Sequence, residues 1–98
     1  MDNNTLKAKR ILLENGYTCV LCCDNEEYHS NLRGVKPLLD FLESDKDFSG
    51  FSAADKTVGA GAAHLYALLG VKEVWANIIS EVGKKVLLEN NITVLCET

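Results

Sequence analysis

Apolar positions recur in two rhythms along the 98 residues, and each change of rhythm marks an element. Residues 5–15 set Ala8, Ile11 and Leu12 on one stripe and keep Lys7, Arg10 and Glu14 off it, the spacing of an amphipathic helix. Asn15-Gly16 ends it, because glycine adopts the left-handed conformation that closes a helix without a Cβ clash. Residues 17–23 then read as a strand, and Asp24-Asn25 turns the chain into a second strand over 26–30, a hairpin. Pro37 stands where a helix can begin, and Leu38, Leu39, Phe41 and Leu42 form its apolar face. DKDFSGFS reads as a loop.

Ser52 is expected to cap a long helix over 53–69, with Asp55 as its acidic partner in a capping-box-like pattern. Its stripe is Ala54, Val58, Gly61, Ala62, Leu65 and Leu69. Gly59 and Gly61 each weaken a helix by about 1 kcal/mol against alanine, so this helix is expected to press its backbone against a neighbour there. Gly70 closes it. Residues 71–79 are apolar in both alternating sets, as in a strand covered on both faces. Ser80 caps a helix through Glu89, Asn90-Asn91 ends it, and 92–96 form the last strand.

LLENGYTCVLC (12–22) and LLENNITVLC (87–96) spell one junction twice. Both read as a helix end, a polar left-handed cap and entry into a buried strand. Cys22 lies seven residues after Asn15 and Cys96 six after Asn90, so equivalent caps would put the two cysteines on opposite faces. The repeat therefore predicts a structural device rather than a duplicated thiol site.

Composition narrows the class without naming it. The chain is 47% hydrophobic and 24% charged, as expected of one globular domain over 1–98. A net charge of −4 and the lack of a basic cluster argue against nucleic-acid polymers and anionic membranes as partners. The N-terminus has no apolar core, and no apolar run approaches the ~20 residues of a membrane span, so the expected location is cytoplasmic. There the four cysteines are expected to be reduced thiols. Cys19 and Cys22 form a Cys-x-x-Cys, which invites a zinc or redox reading. In a strand, however, residues three apart point to opposite faces and cannot readily chelate one ion.

The order of elements predicts a three-layer α/β/α sandwich with a mixed sheet. SNLRGVKPLLDFL and GFSAADKTVGAGAAHLYALLGVKEVWANIIS resemble an uncharacterised prokaryotic family with a cytidine deaminase-like fold that lacks the deaminase zinc motif. Ala-Asp-Lys-x-x-Gly is the most specific part of the resemblance. It implies that relatives continue past the last strand into a further segment, whereas this chain stops at Thr98. Deaminases of this fold bind zinc between two helix N-termini, the first carrying His-x-Glu or Cys-x-Glu and the second Cys-x-x-Cys. The expected helix starts here read Ala53-Ala54-Asp55-Lys56 and Ser80-Glu81-Val82-Gly83, with no metal ligand in either set. His64 falls too deep in its helix to substitute. Deamination by zinc-bound water is excluded on this reading, and no cofactor is implied.

The cleft remains. Two helix N-termini aimed at one crevice offer free N–H groups and positive dipole ends that suit phosphate. Lys56 adds charge, and Asp55 could accept from a ribose hydroxyl or a base amine. The plainer alternative is that Asp55 only caps its helix and Lys56 is only solvated. Arg33, leaving the second strand, is a weaker phosphate candidate or a surface residue. The candidate ligand site is therefore Ser52, Asp55, Lys56, Ser80, Glu81 and Arg33. Three functions fit: a non-catalytic deaminase-like module binding a nucleotide or similar anion; an interaction or homo-oligomerisation module; or an enzyme of other chemistry using Asp55 and Lys56. Metal analysis of the purified protein should find no stoichiometric zinc; one zinc per chain, lost on mutating Cys19 or Cys22, would overturn the strand argument.

Overall fold

The computed structural model describes residues 1–97. Its elements run α1 (Asn3–Asn15), β1 (Cys19–Cys23), β2 (Glu26–Ser30), α2 (Lys36–Glu43), β3 (Ser52–Val58), α3 (Ala60–Leu69), β4 (Glu73–Ile79), α4 (Glu81–Glu89) and β5 (Thr93–Cys96). The strands form one sheet in the order β2-β1-β3-β4-β5. β1 is antiparallel to both β2 and β3, while β3, β4 and β5 run parallel. The sheet is mixed and lies between two helical layers, as the element order predicts. Among the described residues no helix is long and apolar enough to cross a membrane.

The two layers have different cores. On one face Ala8 and Leu12 of α1 pack on Val20, Cys22, Ala54 and Trp75. On the other, α2, α3 and α4 cover Cys19, Leu21, Ala53, Val74 and Ala76. β4 thus splits Trp75 from Val74 and Ala76, the double coverage its apolar pattern implies. The loop read from DKDFSGFS contributes to the core as well: Phe48 and Phe51 are buried and meet edge-to-face with ring centroids 5.1 Å apart.

One element differs from the expected pattern. Residues 53–58 belong to β3, the middle strand, and the helix begins only after Gly59. The alanines that favour helix formation in isolation are there because both faces are covered: Ala53 and Ala54 have no exposed surface and point into different layers. With small apolar residues on both sides, period-2 alternation disappears, and tertiary packing overrides local propensity.

The repeated junction behaves as predicted. Gly16 (φ 69°) and Asn91 (φ 60°) are both left-handed. Asn15 Nδ2 donates to the Ile11 carbonyl at 2.9 Å, and Asn90 Nδ2 to that of Val86 at 2.8 Å. Cys22 lies in the α1 layer, whereas Cys96 is level with Ala76, whose side chain joins the other layer.

The expectation that Gly61 is a packing residue is also corrected. Gly61 is exposed, and a Cβ there would meet only Val35 Cγ1, at 3.8 Å. The close approach belongs to Gly83, in the first turn of α4. A Cβ at Gly83 would sit 3.0 Å from the Val58 carbonyl oxygen and 3.1 Å from Gly59 backbone atoms. Gly83→Ala should therefore destabilise by about 1–3 kcal/mol, while Gly61→Ala should be neutral or slightly stabilising. Thermal melts of the two variants check this; equal melting temperatures would mean α4 can move off β3 freely.

Candidate functional site: a cavity over a buried carboxylate

Because β1 runs against β3, the approach to β1, the exit from β2 and the end of β3 meet at one margin of the sheet. This margin includes the carboxyl ends of the parallel strands, where open α/β sheets place their ligands. A cavity of about 540 Å³ opens there. Thr18 lines it ahead of β1, Arg33, Gly34 and Val35 line it after β2, and Asp55, Lys56 and Thr57 line it from β3. Gly59, Gly61 and Ala62 complete it at the start of α3.

Two helices begin at this cavity without side-chain caps. Val35 precedes α2 and Gly59 precedes α3, and neither supplies a capping hydrogen bond. In contrast, Asp2 caps α1 and Ser80 caps α4. Uncapped first turns keep backbone N–H groups and the positive dipole end available to an anion. Arg33 and Lys56, both exposed, enter no ion pair among the described residues.

The predicted site residues separate into two groups. Arg33, Asp55 and Lys56 do line one cavity. Ser52 does not: it sits at the far end of β3, fully buried, and its hydroxyl donates to Asp2 Oδ1 at 3.1 Å, tying β3 to α1. It caps no helix, because β3 follows it. Ser80 uses its Oγ on the Gly83 N–H at 2.9 Å, and Glu81 stands on the outer side of α4 beside Lys84 and Lys85. The start of α4 does abut that of α3 through Gly83, but Ser80 and Glu81 do not line the cavity. The paired helix ends at the cavity are those of α2 and α3.

Because β3 runs to Val58, no helix starts at residue 53. The paired helix starts at the cavity read Val35-Lys36-Pro37 and Gly59-Ala60-Gly61, with no His, Cys or Glu in either. A Cβ at Gly59 would have no atom within 4 Å, so the missing side chains leave open space that forms part of the cavity. Neither helix start offers a donor set that fits zinc. Among the described residues no group of three His, Cys, Asp or Glu could hold a metal ion. His64 is exposed on α3, and Cys19 and Cys22 face different layers.

Asp55 is 8% exposed and lies on the cavity floor. The Tyr66 hydroxyl donates to its Oδ2 at 2.6 Å, and the Thr57 N–H to its Oδ1 at 3.1 Å. Burial pushes its pKa up from 3.8 to about 6, against the lowering effect of these hydrogen bonds. Behind it, Cys19 Sγ lies 3.2 Å from the Tyr66 hydroxyl. Burial pushes the ionisation of both Cys19 and Tyr66 upward. Tyr66 and Cys19 were absent from the sequence-derived site. In a single helix over 53–69 no spacing singles out Tyr66 as the partner of Asp55, eleven residues away.

A mixed five-stranded sheet between helical layers, open where β3 meets α3, is a cytidine deaminase-like fold. The chain belongs to the DUF1893 family of domains of unknown function, whose model matches residues 7–97. The DUF1893 protein TM1506 from Thermotoga maritima superposes with a TM-score of 0.85 at 20% identity, over 98% of this chain and 66% of that one. This chain thus spans about two thirds of that protein's length. The dCMP deaminase of cyanophage S-TIM5 superposes with a TM-score of 0.65 at 13% identity, over 99% of this chain and 100% of that one. The same enzyme in complex with dCMP and dUMP gives 0.65 at 12% identity, over 99% of each chain. No curated protein matches the chain in sequence.

The raised pKa of Asp55 has a definite sign in stability. Between pH 3.8 and about 6 the unfolded chain has released this proton while the folded chain still holds it. The contribution is complete below pH 3.8 and is lost as pH rises through about 6. Asp55→Asn should remove that slope. Melting temperatures of the two proteins, measured across this window, check it; parallel curves would show an ordinary, solvated carboxylate.

Proposed function

We propose that this protein is a non-catalytic deaminase-like module that binds a nucleotide or similar small phosphate-bearing ligand, without zinc chemistry. One observation carries the reading: a single cavity gathers two uncapped helix N-termini and two unpaired cations over a buried carboxylate. Phosphate would meet the α2 and α3 N–H groups with Arg33 and Lys56, leaving the sugar or base toward Asp55. The cyanophage enzyme of this fold holds dCMP and dUMP, which makes nucleotides the first panel to test. A nucleotide small enough to fill part of a 540 Å³ cavity suits the volume range of small-molecule sites.

A second reading, an interaction or homo-oligomerisation module, is supported by exposed apolar residues on α3 and α4: Leu68, Val82 and Leu88. The small residues of α3 are not part of that face: Gly61 borders the cavity and Ala63 is buried within the subunit.

Titration calorimetry with ribonucleotides and their nucleosides separates the two readings. The nucleotide should bind more tightly than the nucleoside, and Lys56→Ala or Arg33→Ala should weaken the nucleotide preferentially. A charge-assisted hydrogen bond contributes about 1.5–3 kcal/mol, which makes each effect roughly tenfold or more. Asp55→Ala should narrow discrimination between ribose and deoxyribose. A folded protein that binds none of the panel and sediments as an oligomer would move the assignment to the interaction module.

A further inference from the structure

The cavity floor carries more than a phosphate pocket needs. The Tyr66 hydroxyl has one proton, and its 2.6 Å contact with Asp55 Oδ2 shows where that proton is directed. The 3.2 Å contact with Cys19 is then a thiol donating to the Tyr66 oxygen. Protons are thus aligned from Cys19 to Tyr66 to Asp55, toward the cavity. Cys19 and Tyr66 are shut away from solvent, at 1% and 0% exposure, whereas Asp55 reaches the cavity. The Asp55 carboxylate accepts from Tyr66 at Oδ2 and from the Thr57 N–H at Oδ1, with the Lys56 N–H also favouring its charged form.

The surroundings of Asp55 leave it free to exchange that proton. Among the packed elements, β1 presents Cys19, α3 presents Tyr66, and β4 presents only Ala76 opposite. Across the cavity stand Arg33 and, from β3 itself, Lys56. Burial moves Cys19 and Tyr66 away from titration near neutrality, while Asp55 is raised toward it. A carboxylate serving only to tie β3 to α3 would need neither an opening to the cavity nor a second donor behind its partner.

We propose that Asp55 is the acid–base residue of this cavity, exchanging a proton with a ligand whose anionic end lies at Arg33 and Lys56, with Tyr66 and Cys19 as positioning residues. The ligand half of this proposal rests on the phosphate-binding reading above. An anion at the rim disfavours the nearby carboxylate, so Asp55 takes a proton from solvent. Its O–H bond then breaks as the proton passes to a basic oxygen or nitrogen of the ligand. The electron pair stays on the carboxylate, which the Tyr66 hydroxyl and Thr57 N–H stabilise, and water returns the proton. No further reactant is required.

The test follows the Asp55 carboxyl carbon by NMR through a pH titration of the whole chain, with inorganic phosphate as the ligand probe. Asp55 in the free protein should titrate well above an ordinary aspartate. Tyr66→Phe should raise its pKa further, by roughly one unit or more, because the lost donor had stabilised the charged form. Cys19→Ala should produce a smaller shift of the same sign. Saturating phosphate should raise the Asp55 pKa, and Asp55→Asn should bind phosphate without the linked proton uptake. An Asp55 that titrates near 3.8 and ignores Tyr66→Phe overturns the relay. An Asp55 unmoved by phosphate that demonstrably binds Arg33 and Lys56 overturns the proton exchange. Absence of phosphate binding, with the Tyr66→Phe shift intact, overturns the phosphate-binding reading and the ligand half of this proposal while supporting the relay.

Discussion

β3 is paired along both edges, antiparallel to β1 and parallel to β4, and is covered by helices on both faces. The rest of the molecule is organised around that enclosure. It demands small side chains at Ala53 and Ala54, which let α1 close on one face and the α2–α4 layer on the other. It also requires a polar group carried on this strand to find its partners inside the protein. Asp55 does so through Tyr66 and Thr57.

The two margins of the sheet show what such enclosure permits. At the start of β3 and β4 the polar groups engage one another: Asp2 caps α1, accepts from Ser52 and pairs with Lys72, while Glu73 accepts the Asp2 N–H. At the other margin α2 and α3 start without side-chain caps, Arg33 and Lys56 enter no ion pair among the described residues, and Gly59 leaves open space where a side chain would stand. Satisfied polar groups are the rule in protein interiors and at helix ends. A local surplus of donors around one cavity is therefore the feature that makes this margin the candidate site.

The cavity margin also differs from the deaminase zinc motif in where its acid stands. In the deaminase motif the start of the first helix carries a metal ligand and a carboxylate. Here the helix starts at the cavity read Val35-Lys36-Pro37 and Gly59-Ala60-Gly61, and the acid near the cavity comes from β3. Moving the carboxylate from a helix turn to a strand changes its environment. It becomes buried, paired to a tyrosine, and shifted toward neutral pH.

The sequence by itself determined the elements whose signals are local. The Asn-Gly and Asn-Asn junctions, the Pro37 helix, the doubly apolar β4 and the opposite facing of Cys22 and Cys96 all follow from capping chemistry and periodicity. It also brought Arg33, Asp55 and Lys56 forward as candidates, Asp55 and Lys56 at an expected helix start and Arg33 at the exit of the second strand. Tertiary structure alone decided that residues 52–58 are a strand, since alanine favours a helix unless both faces are sealed by distant elements. That decision relocated the start of α3, removed Ser52 from the site, and left Ser80 and Glu81 outside the cavity. It also joined Tyr66 and Cys19 to Asp55, a contact across 47 residues between Cys19 and Tyr66 that no local pattern encodes. Propensity acts between neighbours in the chain, whereas the cavity is made by groups that only the sheet brings together.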